Sequence, residues 1–144
     1  MDTPTPIPQV SPWLGEEEAA AAARTVAGNW LTEGPNCAAF SERLRALIGA
    51  PYGVFAPNGT LALALALMAL GIGPGDEVLL PDITFIGSAN AAVMVGATPV
   101  FVDVEPETFQ LDVTNAEPLV TKRTRAIMPV HLYGTSCDTN GLNS

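Results

Sequence analysis

Chemistry in this chain concentrates around Ala56-Pro57-Asn58-Gly59-Thr60, which leads into a run of Leu and Ala that continues to Leu70. A helix opening here would present first-turn N–H groups that lack intrahelical acceptors, and these attract an anion. Gly59 lets the backbone approach a ligand closely and Thr60 adds a hydroxyl, so the trio predicts a phosphate site. The same residues also suffice for a plain helix cap, with Asn58 or Thr60 accepting a first-turn N–H. Spacing alone does not choose between the two. Downstream, Phe85 opens "TFIGSANAAVMVG", where a flat ring serves either to hold a planar ligand or to fill a core. His131 closes an apolar run, a setting in which a lone imidazole is more often structural than catalytic. Lys122, in "VTKRTRAI", is the only lysine. Cys37 and Cys137 lie far apart with no Cys-x-x-Cys or His/Cys cluster, which predicts neither a disulfide framework nor a zinc site.

The elements that must position these residues follow from periodicity and punctuation. The first 15 residues are Pro-rich and read as extended. "GEEEAAAAARTVAGNW" reads as a helix with acidic residues in its first turn, where the dipole favours them. "TEGPN" breaks it, and "CAAFSERLRALIGA" reads as a second helix, amphipathic and ended by Gly49. From Tyr52 onward, strands and helices alternate. "YGVFA", "EVLLP", "PVFVDV" and "RAIMPVHLYG" read as strands, and the Leu/Ala stretch, "TFIGSANAAVMVG" and Val113–Val120 as helices. Leu and Ala alternate from Leu61 to Leu67 with a strand-like period of two. Their helix propensity, and the lack of β-branched residues there, decide for a helix, apolar all round and expected to be buried. Gly71 falls where a left-handed C-cap belongs, and "GPGDE" turns the chain into the next strand. This order predicts an α/β fold, a mostly parallel sheet with helices on both faces. The predicted division is 1–51 for the amino-terminal extended segment and helices, and 52–144 for the first part of an α/β domain. Asn58, Gly59, Thr60 and Phe85 would then share the carboxyl edge of the sheet, where open α/β sheets bind ligands.

Composition excludes several classes. Six Lys and Arg oppose 15 Asp and Glu, giving a formal charge of −9. Such a chain is poorly suited to nucleic acid or to an anionic membrane surface. Its amino terminus lacks the basic-then-apolar pattern of a signal peptide, and no apolar run reaches the roughly 20 residues of a spanning helix. These features predict a soluble, cytoplasmic protein. "GIGPGD" follows a helix and precedes a strand, the reverse of a dinucleotide fingerprint, and no Gly-Lys-Ser/Thr marks a P-loop.

The stretch "NGTLALALALMALGIGPGDEVLLPDITFIGSANAAVMVGATPVFVDVEPETFQLD", followed by "TKRTRAIMPVHLYGTSCD", resembles the pyridoxal-phosphate-dependent sugar aminotransferases of the DegT/StrS type. "PWLGEEE", "NWLTEGP" and "FSERLRALIGA" match that family's amino-terminal helices in order and spacing, so the resemblance runs roughly from Pro12 to Asp138. It implies the amino-terminal portion of a fold-type I aminotransferase large domain, with pyridoxal 5'-phosphate as cofactor. It assigns the cofactor phosphate to the Asn58-Gly59-Thr60 turn, through the main-chain N–H groups of Gly59 and Thr60 and the Thr60 hydroxyl. It places Phe85 against the pyridine ring and Thr32 near the substrate. It further implies a homodimer, an amino-acid donor such as glutamate, and a nucleotide-linked keto-deoxysugar acceptor. "AIMPVHLYG…CD" most resembles the perosamine-synthetase branch, whose products enter polysaccharides or glycosylated metabolites. The family's Schiff-base lysine lies farther along than any residue here, so the chain is expected to be the first part of a longer enzyme and inactive alone. A non-catalytic binding or regulatory relative is the alternative.

Overall fold

The computed structural model describes residues 6, 8, 10–30 and 32–142. The extended reading of residues 1–5, 7 and 9 lies outside them. Contacts divide the chain into two units, Met1–Val54 and Phe55–Ser144.

The first unit holds helices α1 (Glu16–Ala27) and α2 (Pro35–Ile48). Gly15 opens α1, and its N–H donates to the Glu18 carboxylate at 2.7 Å, the contact that does most to hold the Glu18 carboxyl below its usual range. Pro35 opens α2, where its missing N–H costs nothing, and Gly49 closes it at φ 70°. Neither helix contains a buried residue, and Trp13, Leu47 and Ile48 are all exposed. Apolar surface of this kind drives association. The isolated chain is therefore expected to elute from a sizing column as broad oligomers, and a sharp monomer peak would count against this.

In the second unit, helix α3 (Gly59–Ala69) feeds strand β1 (Glu77–Pro81), helix α4 (Gly87–Met94) and strand β2 (Thr98–Val102). A short helix α5 (Val113–Ala116), strand β3 (Thr124–Ile127) and a last turn α6 (Thr139–Leu142) follow. The strands form a parallel sheet in the order β2-β1-β3, with Glu77 opposite both Thr98 and Thr124. All three strands therefore end at one edge. Alternation along β1 covers both faces: Val78 packs with Ala64, Leu67, Ala91 and Ala92 of α3 and α4, whereas Leu79 packs with Val102, Leu111 and Ala116. Val78, Leu79 and Leu80 are wholly buried, each worth about 1.5–3 kcal/mol in apolar burial. The α/β reading, with its parallel sheet covered on both faces, stands.

Several expectations need correction. "YGVFA" forms no strand among the described residues: Tyr52 and Val54 are 86% and 87% exposed, so no neighbour covers them and the unit boundary cuts through the segment. Helix α3 forms as expected, and Gly71 at φ 73° takes up the left-handed turn after it. Only its Ala64 and Leu67 are buried, however, while Leu65, Met68 and Leu70 are exposed. One face meets the sheet and α4, and nothing described covers the other. Helix α4 starts at Gly87, three residues later than the periodicity suggests, because residues 82–86 form the turn out of β1. The Val113–Val120 helix is split into α5 and a 3-10 turn, Glu117–Leu119, that contains Pro118. Strand β3 stops at Ile127, just ahead of Pro129, and Tyr133 turns the chain at φ 54°.

An ion pair locks the opposite edge. Glu77 is 6% exposed, and its carboxylate accepts from the Thr121 hydroxyl and from Nε and Nη2 of Arg123. The Thr121 hydrogen bond, then the Arg123 guanidinium, hold its carboxyl below the ordinary value of 4.5. A carboxyl lowered by folding contributes stability above its unfolded pKa, and that contribution disappears as pH falls through the folded value. Thermal melts should therefore lose stability as pH drops below 4.5, with Glu77→Gln showing a flatter acid limb. Equal acid limbs in the two proteins would refute the link.

Candidate active site

At the carboxyl edge, helix α3 begins with Asn58 as its N-cap. The Asn58 side chain accepts the Leu61 N–H at 3.0 Å, so the cap reading of this residue is realised. That bond takes up one orphan donor and leaves others. Among the described residues, the N–H groups of Gly59 and Thr60 have no acceptor. The cap and the anion site are thus compatible: Asn58 fixes the helix start, and the next two amides keep no protein acceptor among the described residues.

Those amides border a cavity of about 930 Å³, within the range of small-molecule and cofactor sites. Asn58, Gly59 and Thr60 line one side, Phe85 and Ser88 another, and Val130 comes from the loop after β3. The structure therefore brings together four of the five residues that the resemblance assigns to cofactor or substrate, all but Thr32. Phe85 is 75% exposed and so does not serve as a core residue. Among the described residues no Asp, Glu, Lys or Arg lines the cavity, which leaves the helix terminus as their source of positive potential.

Gly87 makes the close approach possible. A Cβ placed there would lie 2.5 Å from Thr60 Oγ1 and 2.9 Å from Phe85 Cδ1. The Thr60 hydroxyl and the Phe85 ring thus converge on the one point where α4 carries no side chain. Beside it, the Thr84 and Ser88 hydroxyls share a hydrogen bond of 3.0 Å, and Ser88 is buried. Gly59 differs, since a Cβ there would meet nothing within 4 Å. Sequence reasoning missed Gly87, Ser88 and Val130. The small residues Gly87-Ser88-Ala89 at a helix start were the available signal.

Thr32 belongs to the other unit. It lies in the bend between α1 and α2 and lines a cavity of about 400 Å³ with Arg24, Trp30 and Asn36. His131 plays the structural part: its Nδ1 accepts the Cys137 N–H at 3.0 Å. Lys122 sits in the turn before β3, at the amino edge of the sheet, where Thr124 pairs with Glu77. Among the described residues there is no metal-ligating cluster, and no helix is long and apolar enough to cross a membrane.

The sequence is 54% identical over 99 residues to GDP-perosamine synthase of Caulobacter vibrioides, covering 69% of this chain and 27% of that protein. Solved structures agree. DesV of S. venezuelae superposes with a TM-score of 0.80 at 41% identity, over 88% of this chain and 34% of its own. NtdA of Bacillus subtilis, solved with bound cofactor PMP, gives a TM-score of 0.81 at 32% identity, over 90% and 31%. The chain spans about a third of the length of the curated relatives it matches. Its fold is that of the amino-terminal portion of a fold-type I aminotransferase. The profile of the DegT/DnrJ/EryC1/StrS aminotransferases matches residues 12–144, and the chain belongs to that family.

Proposed function

We propose that this chain supplies the cofactor-phosphate cradle of a sugar aminotransferase that uses pyridoxal 5'-phosphate. One observation carries the reading: Gly59 and Thr60, whose N–H groups have no acceptor among the described residues, line the same cavity as Phe85. The cradle fits the group. Gly59 and Thr60 would bind phosphate oxygens through main-chain N–H and the Thr60 hydroxyl, while Asn58 holds the helix start in place. Phe85 would lie against the pyridine ring and keep water from that face. When bound, the cofactor supplies an electron sink for the carbon that exchanges its amino group.

The reaction we assign to the whole protein moves an amino group from an amino acid, with glutamate the favoured donor, to a nucleotide-linked keto-deoxysugar. Similarity to GDP-perosamine synthase supports the sugar-nucleotide class and a role in polysaccharide or glycosylated-metabolite synthesis. Thr32 is the residue we place on the substrate side. A homodimer working in the cytoplasm completes this reading. A second reading, a non-catalytic binding relative, draws on the position of Lys122 across the sheet from the cavity.

Absorbance titration with pyridoxal phosphate tests the cradle. Gly59→Ala is the discriminating variant, because Gly59 lines the cavity and its added methyl would meet no protein atom within 4 Å. Stability should stay level or rise by up to about 1 kcal/mol, as alanine replaces glycine in a helix. Affinity should fall about tenfold or more, the worth of one charge-assisted hydrogen bond. Unchanged affinity would sink the phosphate assignment.

A further inference from the structure

Asn58-Gly59 is one of two Asn-Gly pairs in the described chain, the other being Asn140-Gly141. Such pairs are prone to a self-reaction, since glycine has no side chain to hinder attack of its backbone nitrogen on the preceding amide carbon. The two pairs are held differently. The Gly141 N–H donates to Asp138 Oδ1 at 3.0 Å, and a Cβ at Gly141 would meet Asp138 Oδ2 at 2.6 Å. The Gly59 N–H has no acceptor among the described residues, Asn58 is exposed, and the space about Gly59 is open. Moreover, Asn58 Oδ1 already accepts the Leu61 N–H, which polarises the side-chain carbonyl and stabilises the oxyanion that attack would create.

We propose that Asn58 is a deamidation site that inactivates the anion cradle, and that an anion bound there suppresses the reaction. The Gly59 nitrogen loses its proton to solvent and bonds to Asn58 Cγ. The bond from Cγ to the side-chain nitrogen then breaks, and that nitrogen leaves as ammonia, giving a five-membered succinimide. Water opens the ring at either carbonyl, leaving an aspartyl or isoaspartyl residue at position 58. The net change is amide plus water to carboxylate plus ammonium. Both products put a negative charge beside the Gly59 and Thr60 amides, and the isoaspartyl form also adds a methylene to the backbone at the helix start. A phosphate that engages the Gly59 N–H withdraws the attacking nitrogen. This last point rests on the cofactor-phosphate reading above, whereas the difference between the two Asn-Gly pairs does not.

The test is to incubate the full 144-residue chain at neutral to mildly alkaline pH, with and without saturating pyridoxal phosphate, and follow both pairs by peptide mass spectrometry. Without cofactor, Asn58 should convert about tenfold or more faster than Asn140, whose glycine must first give up a charge-assisted hydrogen bond. With cofactor, conversion at Asn58 should slow several-fold while Asn140 is unaffected. Cofactor affinity, followed over the same incubation, should decay with conversion in the parent chain. Asn58→Ser retains a capping oxygen but cannot form the ring, so its affinity should hold at its own starting value. Conversion at Asn140 equal to or faster than at Asn58 would overturn the proposal, as would decay in Asn58→Ser at the parent's rate. Binding seen by absorbance without protection of Asn58 would overturn the suppression step. Fast conversion at Asn58 with no cofactor binding would leave the deamidation site standing and refute the phosphate reading instead.

Discussion

Gly87→Ala is expected to destabilise the second unit by about 1–3 kcal/mol, the usual penalty for overpacking, and to weaken pyridoxal phosphate binding far more than Gly59→Ala does. The methyl would land 2.5 Å from Thr60 Oγ1 and within 3.0 Å of two Phe85 ring atoms. Neither neighbour yields at no cost. Thr60 is β-branched and sits in the first turn of α3, where its rotamers are few. Phe85 is exposed and freer to swing, but swinging removes the ring from the wall where we place the cofactor. The remaining relief is to shift the start of α4 away from α3, and that disturbs Ala91 and Ala92, both wholly buried against the sheet. Every route spoils the convergence of hydroxyl and ring. Chemical denaturation and a cofactor titration on the same preparation check both halves. A stable Gly87→Ala protein with parental affinity would show that the convergence is incidental.

The contrast between these two glycines marks what the sequence conveys and what it does not. Asn58-Gly59-Thr60 was legible because a strong helix former follows a polar turn, and local chemistry sets the orphan N–H groups of a helix start. Phe85 was legible because a single aromatic stands at the same edge after the next strand. Gly87 and Val130 were not, since each acts through a neighbour far away in sequence: Thr60 for the first and the whole cavity for the second. The clamp behind Val130 is equally silent. Buried Gln110 donates to the Leu132 carbonyl and accepts the Leu132 N–H, 22 residues away. Phe109 and Tyr133 flank it at φ 58° and 54° with their rings edge to face. No periodicity encodes such a pairing. The errors in element length have a common source as well. Apolar spacing reports which residues want burial, but pairing and burial depend on neighbours, so "YGVFA" forms no strand and α3 buries only one face.

Residues 1–144 by themselves are expected to show no amino-group transfer, and reduction with borohydride after incubation with pyridoxal phosphate should leave no stoichiometric label on Lys122. Transfer by this cofactor needs a lysine amine beside it, both to hold it and to move a proton between two carbons. Lys122 is the only lysine in the sequence, and it lies just before β3, whose first residue, Thr124, pairs with Glu77 at the start of β1. Phe85 and Val130 follow the far ends of those same strands. A five-residue parallel strand separates its two ends by about 13 Å, so the lysine side chain would have to cross the thickness of the sheet edge to edge. Two local features also hold the segment away. Thr121 and Arg123, on either side of Lys122, are both bonded to the Glu77 carboxylate, which ties the turn to the amino edge. Freeing it would leave the Glu77 carboxylate, 6% exposed, without its Thr121 and Arg123 partners, an uncompensated buried charge that opposes the movement. Phosphate binding through Gly59 and Thr60 needs no lysine, so the same sample should still shift cofactor absorbance on titration while failing to retain label after reduction. Saturable, stoichiometric labelling of Lys122 accompanied by turnover of glutamate with a keto-sugar nucleotide would place the reactive amine within reach of the cavity and overturn both the edge assignment and the predicted inactivity.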